Sequence, residues 1–523
     1  MTDDGSEVDD GSDGNVTDSL ATVVSGGALV SGSKFVALGF GFLTQVAMAR
    51  LLTEAAYGDV VLSLTVVNMA TLVATLGMDD GVMREFPHHE ETPAKARGVV
   101  RSSLTVGTVT GLLAGGAVFV LAPTIAERAF HDPSLAGLLR VAALGVPFSV
   151  LGSIAVSLAR GSRDARAHAF VNQLFRPAVR FGLIAGLVIA GAGATGAVAG
   201  QTAAVVLAGL GALWFARRAL PAFEAEPTAM YRSVLVFSLP LALSQGMGFL
   251  VSNVDIYMLG YFGSKAGIGA YNIAFQLSNL FTAILATVGF LLPPVLTRLH
   301  DRGKHDEMRR TYQVMTKWMV VGGVPLFVVL FGFPETVIGL AFGDGYRDGA
   351  TALRILAVGN FLAILLGLNT QSLVGLGANH VINYVLVAQT AVNVTLNYLL
   401  IPTHGIVGAA VASAVAVFVS DVLGSAVLYS RFGVHPFTRR AFRPATWTLG
   451  VGAAVAVAFG FSIPAGAVAA VVAFPVAVLG AVEPQDALLV EELEDRSGIA
   501  LGPLRRLVRA AGDDPSTVIK SLK

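Results

Sequence analysis

The sequence contains no cysteine, so disulfides, thiolate chemistry and cysteine-ligated metals are excluded together. Charge is nearly as scarce. Asp, Glu, Lys and Arg make up 13% of the 523 residues, where roughly 25% is usual for soluble domains. Polar faces at helical spacing are missing from whole apolar stretches, 444–482 being the clearest, and a soluble helical protein would need them. Residues 1–20 hold seven acidic side chains and no basic one, so this end reads as a disordered acidic tail (1–24) rather than a signal peptide. His88 and His89 are adjacent rather than at ligand spacing; no metal and no cofactor are expected.

What is present is apolar length. Hydrophobic residues make up 54% of the chain and the mean hydropathy is +0.70. Segments of about 20 apolar residues, enough to cross a bilayer, are expected at 25–49, 57–78, 99–122, 137–159, 168–190, 195–216, 233–260, 266–292, 313–333, 351–374, 380–401, 405–429, 444–462 and 465–482. The expected fold class is therefore an all-α polytopic membrane protein of about fourteen transmembrane helices. With both termini in the cytoplasm, the inward loops and C-terminal tail hold 25 Lys and Arg and the outward loops four, as the positive-inside rule requires. The tail 483–523 includes LGPLRRLVRAAG, a candidate amphipathic helix at the membrane surface.

The chain also repeats itself. RLLTEAAYGDV (50–60) aligns without gaps on YFGSKAGIGAY (261–271), pairing Thr53 with Ser264, Ala56 with Gly267 and Gly58 with Gly269. ATLG (74–77) matches ATVG (286–289) one residue further in offset. Two six-helix lobes are expected, 25–216 and 233–429, joined by a cytoplasmic linker at 217–232 and followed by two further helices at 444–482. Both lobes enter from the cytoplasm, so the repeat is parallel, with a pseudo-two-fold axis along the membrane normal.

Two stretches resemble a known family. ARLLTEAAYGDVVLSLTVVNM (49–69) is similar to the first-hairpin signature of the polysaccharide and oligosaccharide flippases of the multidrug/oligosaccharidyl-lipid/polysaccharide exporter superfamily. VDIYMLGYFGSKAGIGAYNIAFQLSNL (254–280) resembles the seventh-helix signature of the same group. The resemblance implies a flippase of the cell membrane that moves a lipid-linked oligosaccharide or polysaccharide intermediate by alternating access. The implied partners are that lipid-linked glycan, membrane lipids and a coupling cation, with no nucleic acid. A cation-coupled multidrug exporter or a peptidoglycan-precursor flippase on the same scaffold is the alternative, and a membrane-embedded glycan ligase or polymerase the remote one. An enzyme is not expected.

Polar residues within the spans are the candidate site. Arg176 and Arg180, four apart, share a helix face and can present two guanidinium forks to one anion; snorkelling to the interface is the alternative. Lys34 and Arg354 are lone basic residues in apolar spans, each either facing a cavity or snorkelling or paired. The favoured arrangement gathers these four round a cavity that takes a phosphate or diphosphate. Asp255 lies six residues before Tyr261, roughly 9 Å from the helix end at about 1.5 Å per residue. A charge there costs on the order of 3 kcal/mol on insertion scales, so it is expected to face a water-filled cleft as an ion-coupling or gating group, or to be held by hydrogen bonds. Asn253, Gln276, Asn279, Asn360, Asn393 and Asn397 are weaker candidates for a polar cavity. GGALVSGSK (26–34) has Ser33 where a phosphate-binding loop needs Lys, so no nucleotide is expected.

Overall fold

The computed structural model describes residues 36–89, 91–161, 169–219, 226–289, 292–437, 443, 445–450, 454, 472–473 and 475–478. Lys34, the two tails and most of 444–482 lie outside the described residues, so the expected helices thirteen and fourteen are not delimited. Among the described residues there is no strand. The helices are α1 (Val36–Leu51), α2 (Glu54–Thr75), α3 (Met78–His88), α4 (Pro93–Thr124), α5 (Leu135–Ala143), α6 (Val146–Gly161), α7 (Arg176–Leu187), α8 (Gly193–Ala219) and α9 (Tyr231–Phe262). They continue with α10 (Lys265–Ser278), α11 (Leu280–Gly289), α12 (Leu292–Asp301), α13 (His305–Gly332), α14 (Pro334–Ala341), α15 (Ala350–Leu366), α16 (Asn369–Gly375) and α17 (Asn379–Phe432).

Nine helical stretches among the described residues are long and apolar enough to cross a membrane, and the chain is a polytopic all-α membrane protein. Two of them, Gln173–Arg218 and Asn379–Phe432, run to 46 and 54 residues, more than twice the roughly 20 that one crossing takes. Each breaks at glycine. Gly191 has φ 89°, and Gly405 has φ 52° with ψ −129°, conformations that L side chains rarely adopt. The breaks fall between the expected spans 168–190 and 195–216 and at the junction of 380–401 with 405–429.

Three segments expected as loops contain helix. Within 79–101, α3 buries Met78, Val82 and Phe86, one face at a spacing of four, while its charged residues occupy the others. Between the expected spans 266–292 and 313–333, α12 forms, and within 334–350, α14 forms with a 3₁₀ turn at Asp344–Gly349. Charge concealed these short amphipathic helices.

The chain divides into two compact units, Met1–Asn253 and Val254–Lys523, with the border inside α9. In unit one, α6 and α8 meet at small residues: a Cβ on Gly152 would stand 3.0 Å from Gly209 Cα. In unit two, α15 and α17 do the same, a Cβ on Gly359 coming within 2.8 Å of Ala414 Cα. Close backbone approach of this kind drives helix association in lipid. The aligned repeat residues also share a task. Thr53 caps α2 by accepting from Ala56 N, and Ser264 caps α10 by accepting from Gly267 N, at 3.3 and 3.1 Å.

Candidate functional site

Unit one contains a cavity of about 280 Å³. Four stripes at helical spacing build it. From α2 come Asn68, Thr71, Leu72 and Thr75; from α6, Phe148, Ser149, Gly152 and Ser153; from α8, Val205, Ala208, Gly209 and Ala212; from α9, Gln245 and Phe249. Asp79 of α3 and Arg176 of α7 supply opposite charges. The α8 wall is made of small residues, which leaves the space, and the α2 and α6 walls are lined with hydroxyl and amide groups. Gln245 Nε2 donates to Asp79 Oδ1 at 3.1 Å and to Asp80 Oδ2 at 2.9 Å, so one neutral amide steadies two adjacent carboxylates.

Among the described residues, none of Arg176, Arg180, Asp79 and Asp80 forms an ion pair. Arg176 and Arg180 lie within electrostatic reach of each other, and Arg180 Nε is buried without a hydrogen-bond partner. Two like charges four residues apart repel, and a buried unpaired donor costs about 1–3 kcal/mol. An anion bridging the pair would relieve both penalties. Arg180 also lies within reach of Tyr57, whose hydroxyl donates to Gln45 Oε1 at 2.9 Å.

Unit two holds its buried charge differently. Asp255, 2% exposed, is not open to water as a cleft-facing group would be. Its Oδ1 accepts from Asn397 Nδ2 at 2.6 Å, and its Oδ2 accepts from Ser413 Oγ at 2.5 Å and from the Tyr271 hydroxyl. Asn393 Nδ2 donates to Ser413 Oγ and Asn397 Nδ2 to Asn393 Oδ1, each at 3.2 Å. Because Asn393 and Asn397 precede Gly405 and Ser413 follows it, one carboxylate ties the end of α9 to α10 and to both arms of α17. Elsewhere in the same unit, Asn369 Oδ1 accepts from Tyr312 and Ser425 at 3.0 and 3.1 Å, while its Nδ2 donates to Asp421 O.

The remaining sequence candidates separate from these two centres. Arg354 is not a lone cation. Its guanidinium pairs with both oxygens of Glu335, at 2.9 and 3.0 Å, because α14 folds out of the expected loop and presents Glu335. Asn253 and Asn360 donate to their own helices, at Phe249 O and Leu356 O. Gln276 is exposed and Asn279 is half-buried at the end of α10. Of the favoured four cations, the structure brings Arg176 and Arg180 together. Sequence reasoning missed Asp79, Asp80 and the Asn68, Thr71, Thr75 stripe, whose spacing of three and four in an apolar span was the available signal.

The sequence pattern of the family described as "Polysaccharide biosynthesis protein" matches residues 47–351, more than half of the chain. The probable low-salt glycan biosynthesis flippase Agl15 of Haloferax volcanii is 26% identical over 204 residues, which is 38% of this chain and 42% of that protein. The chain therefore spans less than half the length of that curated relative. The lipid II flippase MurJ in its inward closed conformation superposes with a TM-score of 0.70, covering 89% of this chain and 99% of that one at 13% identity. An inward-facing multidrug resistance MATE family transporter of the MOP superfamily superposes at 0.60, covering 75% and 94% at 16% identity. This chain shares their fold, and the resemblance read from its first-hairpin and seventh-helix stretches is borne out at the level of family and fold.

Proposed function

We propose that this chain, which belongs to the polysaccharide biosynthesis protein family, translocates a lipid-linked oligosaccharide or polysaccharide intermediate across the cytoplasmic membrane. The observation that carries the reading is the unit-one cavity, cationic at Arg176 and lined by the amide and hydroxyl groups of Asn68, Thr71, Ser149 and Ser153. A lipid-linked glycan offers matching chemistry: phosphate oxygens for planar guanidinium forks and sugar hydroxyls for the polar walls. With Arg354 occupied by Glu335, Arg176 and Arg180 are the headgroup pair in this reading. The two lobes, 25–216 and 233–429, would alternate access to the cavity. A coupling cation would act at Asp255, competing with Asn397, Ser413 and Tyr271 for its oxygens and so loosening the tie between α9, α10 and α17.

A multidrug exporter and a peptidoglycan-precursor flippase share the fold; the family and the glycan-flippase relative favour the lipid-linked glycan. In a deletion strain, lipid-linked glycans should accumulate on the cytoplasmic leaflet; unchanged leaflet distribution would reject the proposal. The proposed orientation has both termini in the cytoplasm. Ser264→Cys should then react with an impermeant thiol reagent from outside and Gly303→Cys should not, and labelling of both would reject it.

A further inference from the structure

Just before Arg176 the helix widens into a π-helical turn, Ala169–Phe175. In an α-helix residues five apart stand about 140° apart, at roughly 100° per residue, whereas the i to i+5 bonding of a π turn brings them onto one side. Phe170 and Phe175 are five apart and stack, with ring centroids 6.1 Å apart and planes at 20°. Phe215 of α8 completes the cluster, its ring 5.7 Å from that of Phe170.

This trio adjoins the cavity in sequence on two of its helices without lining it. Ala208 and Ala212 of α8 line it, and Phe215 lies three residues past Ala212, one turn further on the same side. Arg176 lines it from α7, and Phe175 is the residue directly before. The α8 wall therefore leads toward Phe215, and on α7 the cluster begins one residue from Arg176. Phe170 is 46% exposed, so an apolar surface stays open beside a cation that has no ion pair among the described residues. Membrane-interface belts draw on Trp and Tyr, whose polar tips reach water. Trp214, with Arg218 4.0 Å over its ring, fits that description; three phenylalanines do not. The π turn also packs into the core, through Val171 against Ala208, Ala212 and Ala216 with Phe215 beside them, while Phe170 is left facing outward; such turns are found frequently at functional sites.

We infer that Phe170, Phe175 and Phe215 seat the apolar chain of a lipid carrier whose phosphate or diphosphate lies at Arg176. The inference rests on the proposal that the cavity takes a lipid-linked anion, and it adds where the lipid begins. Selection then works by two adjoining tests: the guanidinium pair requires an anion, and the phenyl rings require that the anion carry a hydrocarbon chain.

The test compares inorganic diphosphate with farnesyl diphosphate binding to the full-length protein by calorimetry, with empty micelles as blank. The native protein should bind farnesyl diphosphate at least about tenfold more tightly, the scale expected for burying a few prenyl carbons. Phe170→Ala should lose most of that preference while holding inorganic diphosphate within about twofold, which also shows that the variant is folded. Phe170→Gln, which keeps most of the side-chain length and removes the ring, should show the same selective loss if the alanine variant does not accumulate. Arg176→Ala with Arg180→Ala should weaken both ligands. A farnesyl preference that survives Phe170→Ala or Phe170→Gln, or no preference in the native protein, overturns the inference. Undiminished binding of both ligands by the double arginine variant would instead overturn the headgroup reading on which it rests.

Discussion

The two units both bury charge among apolar helices, and they treat it in opposite ways. In unit two every oxygen of Asp255 is engaged by donors from α10 and both arms of α17, and the group is dry. In unit one Arg176 and Asp79 line an open cavity without an ion pair among the described residues, and Arg180 keeps a buried nitrogen without a partner. Buried polarity that is satisfied holds a structure together, and each unsatisfied group, such as Arg180 Nε in unit one or Asn397 Oδ1 in unit two, calls for an explanation. In the proposed reading unit one would carry the substrate chemistry, while the hydrogen bonds of Asp255 tie helices together in unit two.

The contrast predicts effects of graded size. Arg176→Ala with Arg180→Ala should cut transport at least about a thousandfold, equivalent to roughly 4 kcal/mol, at near-normal membrane abundance. Lys replacements should rescue poorly, because the planar fork is lost. Flux in reconstituted vesicles measures both, and full activity in the double alanine variant would mean that the pair only snorkels.

Asp255→Ala should act first on stability. It leaves the donors of Asn397, Ser413 and Tyr271 without their acceptor, at about 3 kcal/mol or more in total, read as a lowered unfolding temperature in detergent. Asp255→Asn should cost less than half as much. The new Oδ1 can keep the bond from Asn397, and the new Nδ2 can donate to the Ser413 and Tyr271 hydroxyls, which accept as well as donate. If Asp255 also gates transport, the asparagine variant should remain abundant and lose at least about tenfold in rate; normal rate would leave the residue a purely structural tie.

Gln245→Ala frees Asp79 and Asp80 from their shared donor and should lower transport by roughly ten- to a hundredfold, the scale of about 1.5–3 kcal/mol for a hydrogen bond to a charged group. No change would separate α9 from the working cavity. The smallest effect compares the repeats directly: Thr53→Ala and Ser264→Ala should each cost about 1 kcal/mol as lost N-caps. Unequal costs in thermal unfolding would show that the two caps have diverged in importance.

Much of this was legible in sequence, for identifiable reasons. The long spans follow from hydrophobic length, and the breaks at Gly191 and Gly405 lie where polar or small residues interrupt it. Arg176 and Arg180 follow from helical spacing, as do Asn393 and Asn397. Ser413 could not be read out, because Ser and Thr in apolar helices commonly satisfy themselves on their own backbone, as Thr65 does at Val61 O and Thr390 at Leu386 O. Arg354 misled because its partner sits on α14, a helix that its Pro-Glu start and the following glycines disguise as a loop. Asp79 and Asp80 were hidden in the same way: a charged run conceals the Met78, Val82, Phe86 face that docks α3.

The absence of cysteine allows one direct measurement, because any introduced thiol reports without background. Ser153→Cys lines the unit-one cavity and Ser413→Cys sits in the unit-two tie. A small water-soluble thiol reagent should modify Ser153→Cys at least about a hundredfold faster than Ser413→Cys, the ratio expected if opening the tie costs roughly 2.7 kcal/mol. Inorganic diphosphate should slow the reaction at Ser153→Cys only while Arg176 and Arg180 are intact. Equal rates at the two positions, or diphosphate protection that survives loss of both arginines, would contradict the account.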